Sequence, residues 1–220
     1  MPQFSPNNAI SPPAWVGAQP SKTALRRLLL AQRVSQPAAA RALTSAALQA
    51  KLLPECLRLT RPTEVVALFS AHLGEPEVLA LTLQLQAAGR AVALPVVQGR
   101  GEPLRFARWA WGDACGQDAY GISVPVKQDW VHPSLVVLPC VGFTVHQGQF
   151  YRLGYGGGFY DRTLARLRSE NPALRTLGVA YASSRCAFEP AAHDVALDGV
   201  LIAPIAAPLH TNTNTNTNGG

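Results

Sequence analysis

Residues 152–162 read Arg-Leu-Gly-Tyr-Gly-Gly-Gly-Phe-Tyr-Asp-Arg, and the rest of the chain is organised around this segment. Four glycines fall within residues 154–158, which we call the glycine loop, and residues 159–168 alternate apolar and basic side chains at helical spacing. Glycine permits a positive φ and lets a ligand approach the backbone closely. Bare N–H groups at the start of a helix bind phosphate well, because the helix dipole and the donors point the same way. The segment therefore predicts an anion-binding turn before a helix.

Charged side chains flank the glycine loop. Arg152 and Arg162 can make forked, charge-assisted contacts to phosphate oxygens. Asp161 would be repelled by a bound phosphate unless a cation such as Mg²⁺ lay between them. These residues indicate a site for a metal–nucleotide complex, although a glycine-rich turn alone also serves as a plain connection between two elements.

Composition is that of an ordinary globular domain. The chain has 220 residues, of which 48% are hydrophobic and 15% are charged, so it can bury a sizeable core. No apolar run approaches the roughly 18 residues of a membrane span, and no secretory signal is visible, so we expect a cytoplasmic protein without membrane contact. The four cysteines are widely spaced and form no CxxC pair, which favours buried free thiols over a zinc site; they are Cys56, Cys115, Cys140 and Cys186.

The net charge of +6 suits a protein whose ligands are polyanions. It leaves open a non-catalytic nucleotide- or RNA-binding α/β module, although the sequence lacks the interleaved aromatic residues of a base-stacking surface. A sugar-phosphate enzyme of similar architecture, which would need no ATP, is a third possibility. Measurements of nucleotide binding and of salt-dependent RNA affinity would separate these alternatives.

Hydrophobic periodicity predicts an α/β domain, with a layered, mostly parallel sheet and helices on both faces. Helices are expected from Ser21 (as N-cap), over about residues 36–53, from Pro76 to Gly89, and after the glycine loop. Strands are expected over residues 64–70, 91–97, 104–109, 135–139, 176–181 and 199–203. The strand–helix–strand order of residues 64–97 predicts a parallel βαβ unit.

The chain is divided into a disordered arm at residues 1–20, a single domain at residues 21–207 and a low-complexity tail at residues 208–220, where Thr and Asn alternate. The glycine loop is expected at the carboxyl end of the central strand 135–139, where such sheets hold their ligands.

With these parts identified, the chain resembles the 5-formyltetrahydrofolate cyclo-ligase family, also called methenyltetrahydrofolate synthetases, over roughly residues 21–204. The resemblance rests on three matches that occur in order: Lys22 and Arg26 in a Lys-x-x-x-Arg pattern, residues 138–143 (LPCVGF) followed by 152–161, and residues 193–198 (HDVALD). Three ordered matches are more specific than any one of them.

Members of this family use Mg·ATP to close the formyl group of 5-formyltetrahydrofolate into 5,10-methenyltetrahydrofolate, with release of ADP and phosphate. The resemblance implies an ATP-dependent ligase that takes ATP and a small-molecule folate, uses Mg²⁺ and binds no nucleic acid, and we expect a monomer. It implies ATP contacts by Lys22, Arg26, Arg152, Gly154, Tyr155, Gly156, Gly157, Gly158, Phe159 and Tyr160.

The resemblance also implies catalytic roles for Arg152 and Tyr160, folate contacts by Phe69 and Glu75, and Mg²⁺ ligation by Asp161 and Asp194. His193 is expected to support the site without reacting. Two segments depart from the family pattern. Relatives often carry Gln where residues 182–185 read Ala-Ser-Ser-Arg, and some carry Lys within the loop where residues 156–158 are all glycine. Charge at the transferred phosphate is then expected from Arg152, Arg162, Lys22 or Arg26.

Overall fold

The computed structural model of this protein describes residues 20–203. Its helices are α1 (Lys22–Val34), α2 (Ala38–Leu59), α3 (Leu81–Ala87) and α4 (Phe159–Glu170). Its strands are β1 (Val65–Ala67), β2 (Ala91–Val96), β3 (Arg105–Arg108), β4 (Cys115–Gln117), β5 (Ser123–Pro125), β6 (Trp130–Val131), β7 (Leu135–Pro139), β8 (Gly142–His146), β9 (Gln149–Leu153), β10 (Arg175–Tyr181) and β11 (Gly199–Ala203). The expected arm and tail lie outside the described residues, except for Pro20, so the three-part division of the chain stays a prediction.

Seven strands form the central sheet in the order β11-β10-β7-β1-β2-β3-β6. The five strands from β11 to β2 run parallel, and β3 and β6 add an antiparallel edge. Strands β1 and β2 are parallel neighbours joined through α3, which confirms the predicted βαβ unit. Strand β7 lies between β1 and β10, so the predicted central strand is confirmed.

Helices cover both faces of the sheet. All five residues of β7 are buried, because its side chains alternate between two layers. Leu135 and Val137 pack on the side of α2 and α3, whereas Val136 and Leu138 pack on the side of α4. The predicted fold class, a layered and mostly parallel sheet with helices on both faces in a single domain, is confirmed.

Helix α1 lies against the hairpin of β8 and β9. Ser21 is its N-cap as predicted, since the Ser21 hydroxyl accepts a hydrogen bond from the Ala24 N–H at 3.2 Å. Leu25 and Leu29 are buried in a cluster with Val141, Leu153, Cys186 and Phe188. This packing fixes α1 beside the glycine loop, which follows β9.

The β8–β9 hairpin was not predicted from the sequence. Its two-residue turn, Gln147-Gly148, has positive φ at both positions (50° and 77°). The usual sequences of such turns are Asn-Gly and Asp-Gly, and Gln-Gly predicts a hairpin less strongly. The hairpin turns the chain back on itself, so that the glycine loop returns to the carboxyl end of β7.

Two helices differ in length from their predictions. Helix α2 continues past residue 53 to Leu59 and contains Pro54. An interior proline costs about 3 kcal/mol, but burial of Leu48 and Leu52 offsets this with about 1.5–3 kcal/mol each. Helix α3 begins at Leu81 instead of Pro76, because residues 71–80 follow an irregular path with positive φ at Leu73 and Gly74.

All four cysteines are free thiols, as expected, but only three of them are buried. Burial raises the pKa of Cys56 and Cys140 to about 12 and that of Cys186 to about 11. Cys115 on the short strand β4 is exposed, so the expectation of burial was wrong for it. Among residues 20–203, no helix combines the length and apolar character that crossing a bilayer requires.

Candidate active site

A cavity of about 350 Å³ lies in front of the glycine loop. Its wall comes from α1, the segment after β1, the turn between β4 and β5, the start of α4 and the segment around residue 194. It is lined by every residue to which the family resemblance gave an ATP, catalytic, folate or Mg²⁺ role: Lys22, Arg26, Phe69, Glu75, Arg152, Gly154, Tyr155, Gly156, Gly157, Gly158, Phe159, Tyr160, Asp161 and Asp194. The fold thus brings together residues separated by up to 172 positions in the chain.

The glycine loop presents its backbone at the start of a helix. Gly156 and Gly158 have φ of 100° and 65°, and Gly158 is the N-cap of the twelve-residue helix α4. Within the described part of the chain, the N–H groups of Gly156, Gly157 and Gly158 donate no hydrogen bond to the protein. Free donors at a helix N-terminus are suited to an anion, so this geometry agrees with the predicted anion-binding turn.

Arg152 links the loop to the end of β7. Its side chain is buried, one guanidinium nitrogen donates to the Pro139 carbonyl at 3.2 Å, and the other lies 3.6 Å from an Asp161 carboxylate oxygen. The guanidinium carbon also lies 4.9 Å from the centre of the Tyr160 ring. Burial raises the pKa of Tyr160 despite the lowering effect of Arg152, so its hydroxyl stays protonated at neutral pH and can donate a hydrogen bond.

Lys22 and Arg26 lie one turn apart on the same face of α1, and both line the cavity. The Lys22 ammonium pairs with the Asp194 carboxylate. The Arg26 Nε donates to the Gly154 carbonyl at 2.8 Å, which holds the guanidinium beside the glycine loop. On pattern alone these residues would also fit a solvated basic stripe, but in the structure both line the cavity.

Asp161 and Asp194 both line the cavity, and a backbone hydrogen bond places Asp161 beside the residue that follows Asp194. An Asp161 oxygen accepts from the Val195 N–H at 3.3 Å, next in sequence to Asp194, and an Asp194 oxygen accepts from the Ala191 N–H at 2.7 Å. Burial acts to raise the pKa of Asp194, but the hydrogen bonds from Lys22 and the Ala191 N–H, together with the charges of Lys22 and His193, hold the pKa below its usual value. Within residues 20–203, no group of three or more His, Cys, Asp or Glu side chains is arranged to hold a metal. A pair of carboxylates still fits Mg²⁺, which is commonly bound by one or two carboxylates together with substrate phosphates.

Glu75 is a buried acid of the cavity lining. Its carboxylate accepts a hydrogen bond from the Tyr155 hydroxyl at 2.6 Å and one from the His72 N–H at 3.0 Å. Burial raises the pKa of Glu75, although nearby Arg33 and Tyr155 act to lower it. Each carboxylate oxygen therefore already has one donor, and each retains a position for a second.

Sequence reasoning missed the contribution of the turn between β4 and β5. Tyr120 and Ile122 line the cavity, and the Tyr120 ring lies edge-on to Phe159 with centroids 5.9 Å apart. The Asp118 carboxylate accepts from the N–H groups of Tyr120 and Ile122, at 2.8 and 2.9 Å, and so fixes the turn. The sequence Asp-Ala-Tyr-Gly at residues 118–121 is a recognisable turn signal, but it does not reveal which surface the turn will cover.

Arg162 and residues 182–185 lie outside the described cavity lining. Arg162 is not among the described residues that line the cavity, and its guanidinium donates to the Gly157 carbonyl at 2.7 Å, which supports the loop. The segment that departs from the family pattern forms a short 3₁₀ helix, Ala182–Ser184, which also lies away from the described lining. His193 lines the cavity with an exposed ring, 3.8 Å from an Asp194 oxygen, and its supporting role stays a prediction.

Comparison with solved structures finds the same fold in two methenyltetrahydrofolate synthetases. A 5,10-methenyltetrahydrofolate synthetase from Aquifex aeolicus superposes with a TM-score of 0.67 at 26% identity, covering 83% of this chain and 89% of the relative. A 5,10-methenyltetrahydrofolate synthetase from Mycoplasma pneumoniae superposes with a TM-score of 0.66 at 21% identity, covering 82% of this chain and 98% of the relative. This second likeness supports the fold. A comparison with curated protein sequences found no match.

A sequence profile of the 5-formyltetrahydrofolate cyclo-ligase family matches residues 18–203, which is most of the chain. This match agrees with the fold and confirms the resemblance inferred from the sequence. The protein therefore belongs to the 5-formyltetrahydrofolate cyclo-ligase family and is an enzyme of the ligase class.

Proposed function

We propose that this chain uses ATP to convert 5-formyltetrahydrofolate into 5,10-methenyltetrahydrofolate, with release of ADP and phosphate. The observation that carries the proposal is the single cavity in which the glycine loop, two cations from α1 and two carboxylates meet. The family membership supports the same reaction.

The triphosphate would lie against the glycine loop. The free N–H groups of residues 156–158 supply donors, and Lys22, Arg26 and Arg152 supply positive charge around them. In this structure Lys22 is paired with Asp194, and Arg152 is paired with Asp161. We expect an exchange of partners on binding, in which the phosphates take the cations and the carboxylates become available to a metal.

Asp161 and Asp194 would hold Mg²⁺ together with the phosphates, since both line the cavity and Asp161 accepts from the N–H of Val195, next to Asp194. When bound, Mg²⁺ would neutralise part of the charge on the phosphate oxygens. The protein's own part is to hold the two carboxylates in place through the Val195 and Ala191 N–H groups.

The folate would occupy the part of the cavity that contains Phe69, Glu75 and Tyr120. The Glu75 carboxylate can accept N–H donors of the reduced pterin, because each oxygen keeps one free acceptor position. Phe69 and Tyr120 offer aromatic surface to the ring system.

The chemistry needs a better leaving group, because the oxygen of a formyl amide leaves poorly. Transfer of the γ-phosphoryl group to the formyl oxygen breaks the β–γ bond of ATP and gives ADP. The N10 amine of the folate then attacks the formyl carbon and loses its proton, and the oxygen departs with phosphate. Phosphoryl transfer depends mainly on alignment and on stabilisation of charge at the phosphate oxygens. Backbone N–H groups and Arg152 are suited to both tasks, and the protonated Tyr160 hydroxyl can donate to the same oxygens.

The test is to incubate purified protein with Mg·ATP and 5-formyltetrahydrofolate and to follow the near-ultraviolet absorbance of the methenyl product. We expect product only when ATP is present. Asp161→Ala should abolish turnover, whereas Asp129→Ala, a matched change at an exposed ion pair with Arg108, should leave it unchanged. Well-folded protein that forms no product would refute the proposed function.

We also propose that the enzyme acts as a monomer in the cytoplasm. Four free thiols among residues 20–203 are consistent with a reducing compartment. Analytical ultracentrifugation that returned a dimer mass would contradict the monomer.

A further inference from the structure

Two buried charged side chains, Arg33 and Glu75, meet the partly exposed Tyr155 at the cavity wall. Arg33 of α1 donates to the Tyr155 hydroxyl, and that hydroxyl donates to Glu75 at 2.6 Å. The same guanidinium nitrogen of Arg33 lies 3.8 Å from the Glu75 carboxylate. Arg33 is 3% exposed and Glu75 is 5% exposed, so both charges are withdrawn from water.

Arg33 is held by further contacts that leave its guanidinium little freedom. Its Nε donates to the Leu73 carbonyl at 2.9 Å, and a terminal nitrogen lies 3.5 Å from the Cys140 carbonyl. Its guanidinium carbon is 5.5 Å from the centre of the Tyr155 ring. The planar fork thus joins α1, the irregular segment after β1, the end of β7 and the glycine loop.

Arg33 itself is not among the described residues that line the cavity, but both of its side-chain partners are. Glu75 and Tyr155 therefore have one side toward the cavity and one side toward Arg33. A buried ion pair is a weak source of stability, because apolar residues of similar volume often serve a fold as well or better. This arrangement suits a residue that acts on the cavity through its neighbours.

We propose that Arg33 is a positioning residue for folate recognition, which holds the Glu75 carboxylate and the Tyr155 hydroxyl in the orientation that receives the substrate. The inference rests on the proposed function, since it requires that Glu75 contacts the folate. It predicts that loss of Arg33 weakens folate binding far more than nucleotide binding, because a nucleotide that lost a contact to Tyr155 would keep the loop N–H groups, Lys22 and Arg26. Lys22 and Arg26, which face the phosphates, do not depend on Arg33 for their contacts.

The test is a double-mutant cycle on folate binding. Dissociation constants for 5-formyltetrahydrofolate and for Mg·ADP are measured by calorimetry on the wild-type chain and on Arg33→Met, Glu75→Gln and the double variant, together with KM and kcat. Arg90→Met is the matched control, because Arg90 donates to the carbonyls of Leu57, Thr60 and Ala88 and lies outside the described cavity lining. Arg33→Met alone leaves the Glu75 charge buried without its partner, which could prevent folding. The double variant removes both buried charges and is the variant to use if Arg33→Met does not fold.

We expect Arg33→Met to weaken folate binding by about 10-fold to 100-fold, the range for loss of a hydrogen bond to a charged group. Mg·ADP affinity should change by less than about threefold, and Arg90→Met should change neither ligand. In the Glu75→Gln background, Arg33→Met should cost clearly less folate affinity than in the wild-type chain, because Arg33 acts in part through Glu75. Arg33→Lys should recover part of the folate affinity, since it restores the charge without the fork.

Several results would overturn the proposal. Equal losses of folate and nucleotide affinity would show that Arg33 only supports the fold, as would additive effects of Arg33→Met and Glu75→Gln. Unchanged folate affinity in folded Arg33→Met would exclude the positioning role while wild-type turnover kept the proposed function intact. A wild-type chain that neither bound nor converted the folate would refute the proposed function and this inference together.

Discussion

Replacing Gly154 by Ala should separate catalysis from folding. Gly154 does not have a left-handed φ, so the backbone accepts alanine, but the new Cβ would lie 2.7 Å from one terminal nitrogen of Arg152 and 2.8 Å from the other. Ordinary contact begins near 3.4 Å, so the guanidinium must move by about 0.7 Å, the difference between 3.4 and 2.7 Å.

The displaced Arg152 guanidinium is the group proposed to align the transferred phosphate. The Arg152 hydrogen bond to the Pro139 carbonyl is already 3.2 Å long, and the ion pair with Asp161 is 3.6 Å, so neither tolerates much further separation. Misplacement of a positioning group by about 1 Å can cost on the order of a hundredfold in rate, so we expect kcat to fall by about tenfold to a hundredfold. Stability should change little. The reduced freedom of the unfolded chain contributes about 0.4–1 kcal/mol, which offsets about 0.5–1.5 kcal/mol of rotamer strain in Arg152.

The assay is initial-rate formation of the methenyl product at saturating ATP and folate, combined with a thermal melt. A net stability change within about 1 kcal/mol corresponds to a shift in Tm of no more than about 4 °C. Gly99→Ala is the control, because its Cβ would meet only the flexible Glu102 side chain at 3.5 Å. A Gly154→Ala enzyme that keeps kcat within about twofold of wild type would refute the placement of Arg152 at the reacting phosphate.

Three further predictions concern the nucleotide, the folate and the fold. Lys22→Met should weaken Mg·ATP binding by about tenfold in calorimetry without changing folate affinity; Lys51→Met on the exposed side of α2 is the control, and equal losses for the two variants would contradict the assignment. Burial raises the pKa of Glu75, although Arg33, Tyr155 and Arg152 act to lower it. Glu75 should therefore be protonated at a pH above the ordinary glutamate pKa of about 4.3, and the wild-type KM for folate should increase as the pH falls through that range. Glu75→Gln should have a higher folate KM that is flat over this range, and a parallel pH profile would exclude Glu75 as the titrating group. Gly142→Ala should lower stability by about 1–3 kcal/mol in chemical denaturation, because its Cβ would lie 2.7 Å from Leu29 Cδ1 and 2.8 Å from Cys186 Sγ. Gly116→Ala, whose nearest neighbour would be 3.8 Å away, should be neutral, and equal effects would contradict the packing of α1 on the hairpin.

The sequence predicted the parts of the fold that depend on local patterns. Strands β7 and β11 were predicted with their observed bounds, because buried parallel strands read as uninterrupted apolar runs. The glycine loop and the helix after it were predicted from spacing alone. The resemblance to the family then supplied positions such as Phe69 and Asp194, which no local pattern distinguishes from ordinary core or turn residues.

What escaped prediction depends on contacts between distant segments. Arg33 lies 42 positions from Glu75, and only the folded packing of α1 makes them neighbours. Helix α3 starts late because a side-chain contact from α2 holds the preceding segment: the Glu77 N–H donates to Ser45 Oγ at 3.0 Å. Tyr120 belongs to a turn that is plain in sequence, but its position over the cavity depends on tertiary contacts such as that between Ser70 and the Ser123 carbonyl.

The most direct test of the central claim is an experimental structure of the protein with Mg²⁺ and a non-hydrolysable ATP analogue. We expect phosphate oxygens against the N–H groups of residues 156–158, with Lys22 released from Asp194 and the metal held by Asp161 and Asp194. A triphosphate bound elsewhere, with the glycine loop still facing empty solvent and both ion pairs unchanged, would contradict the account.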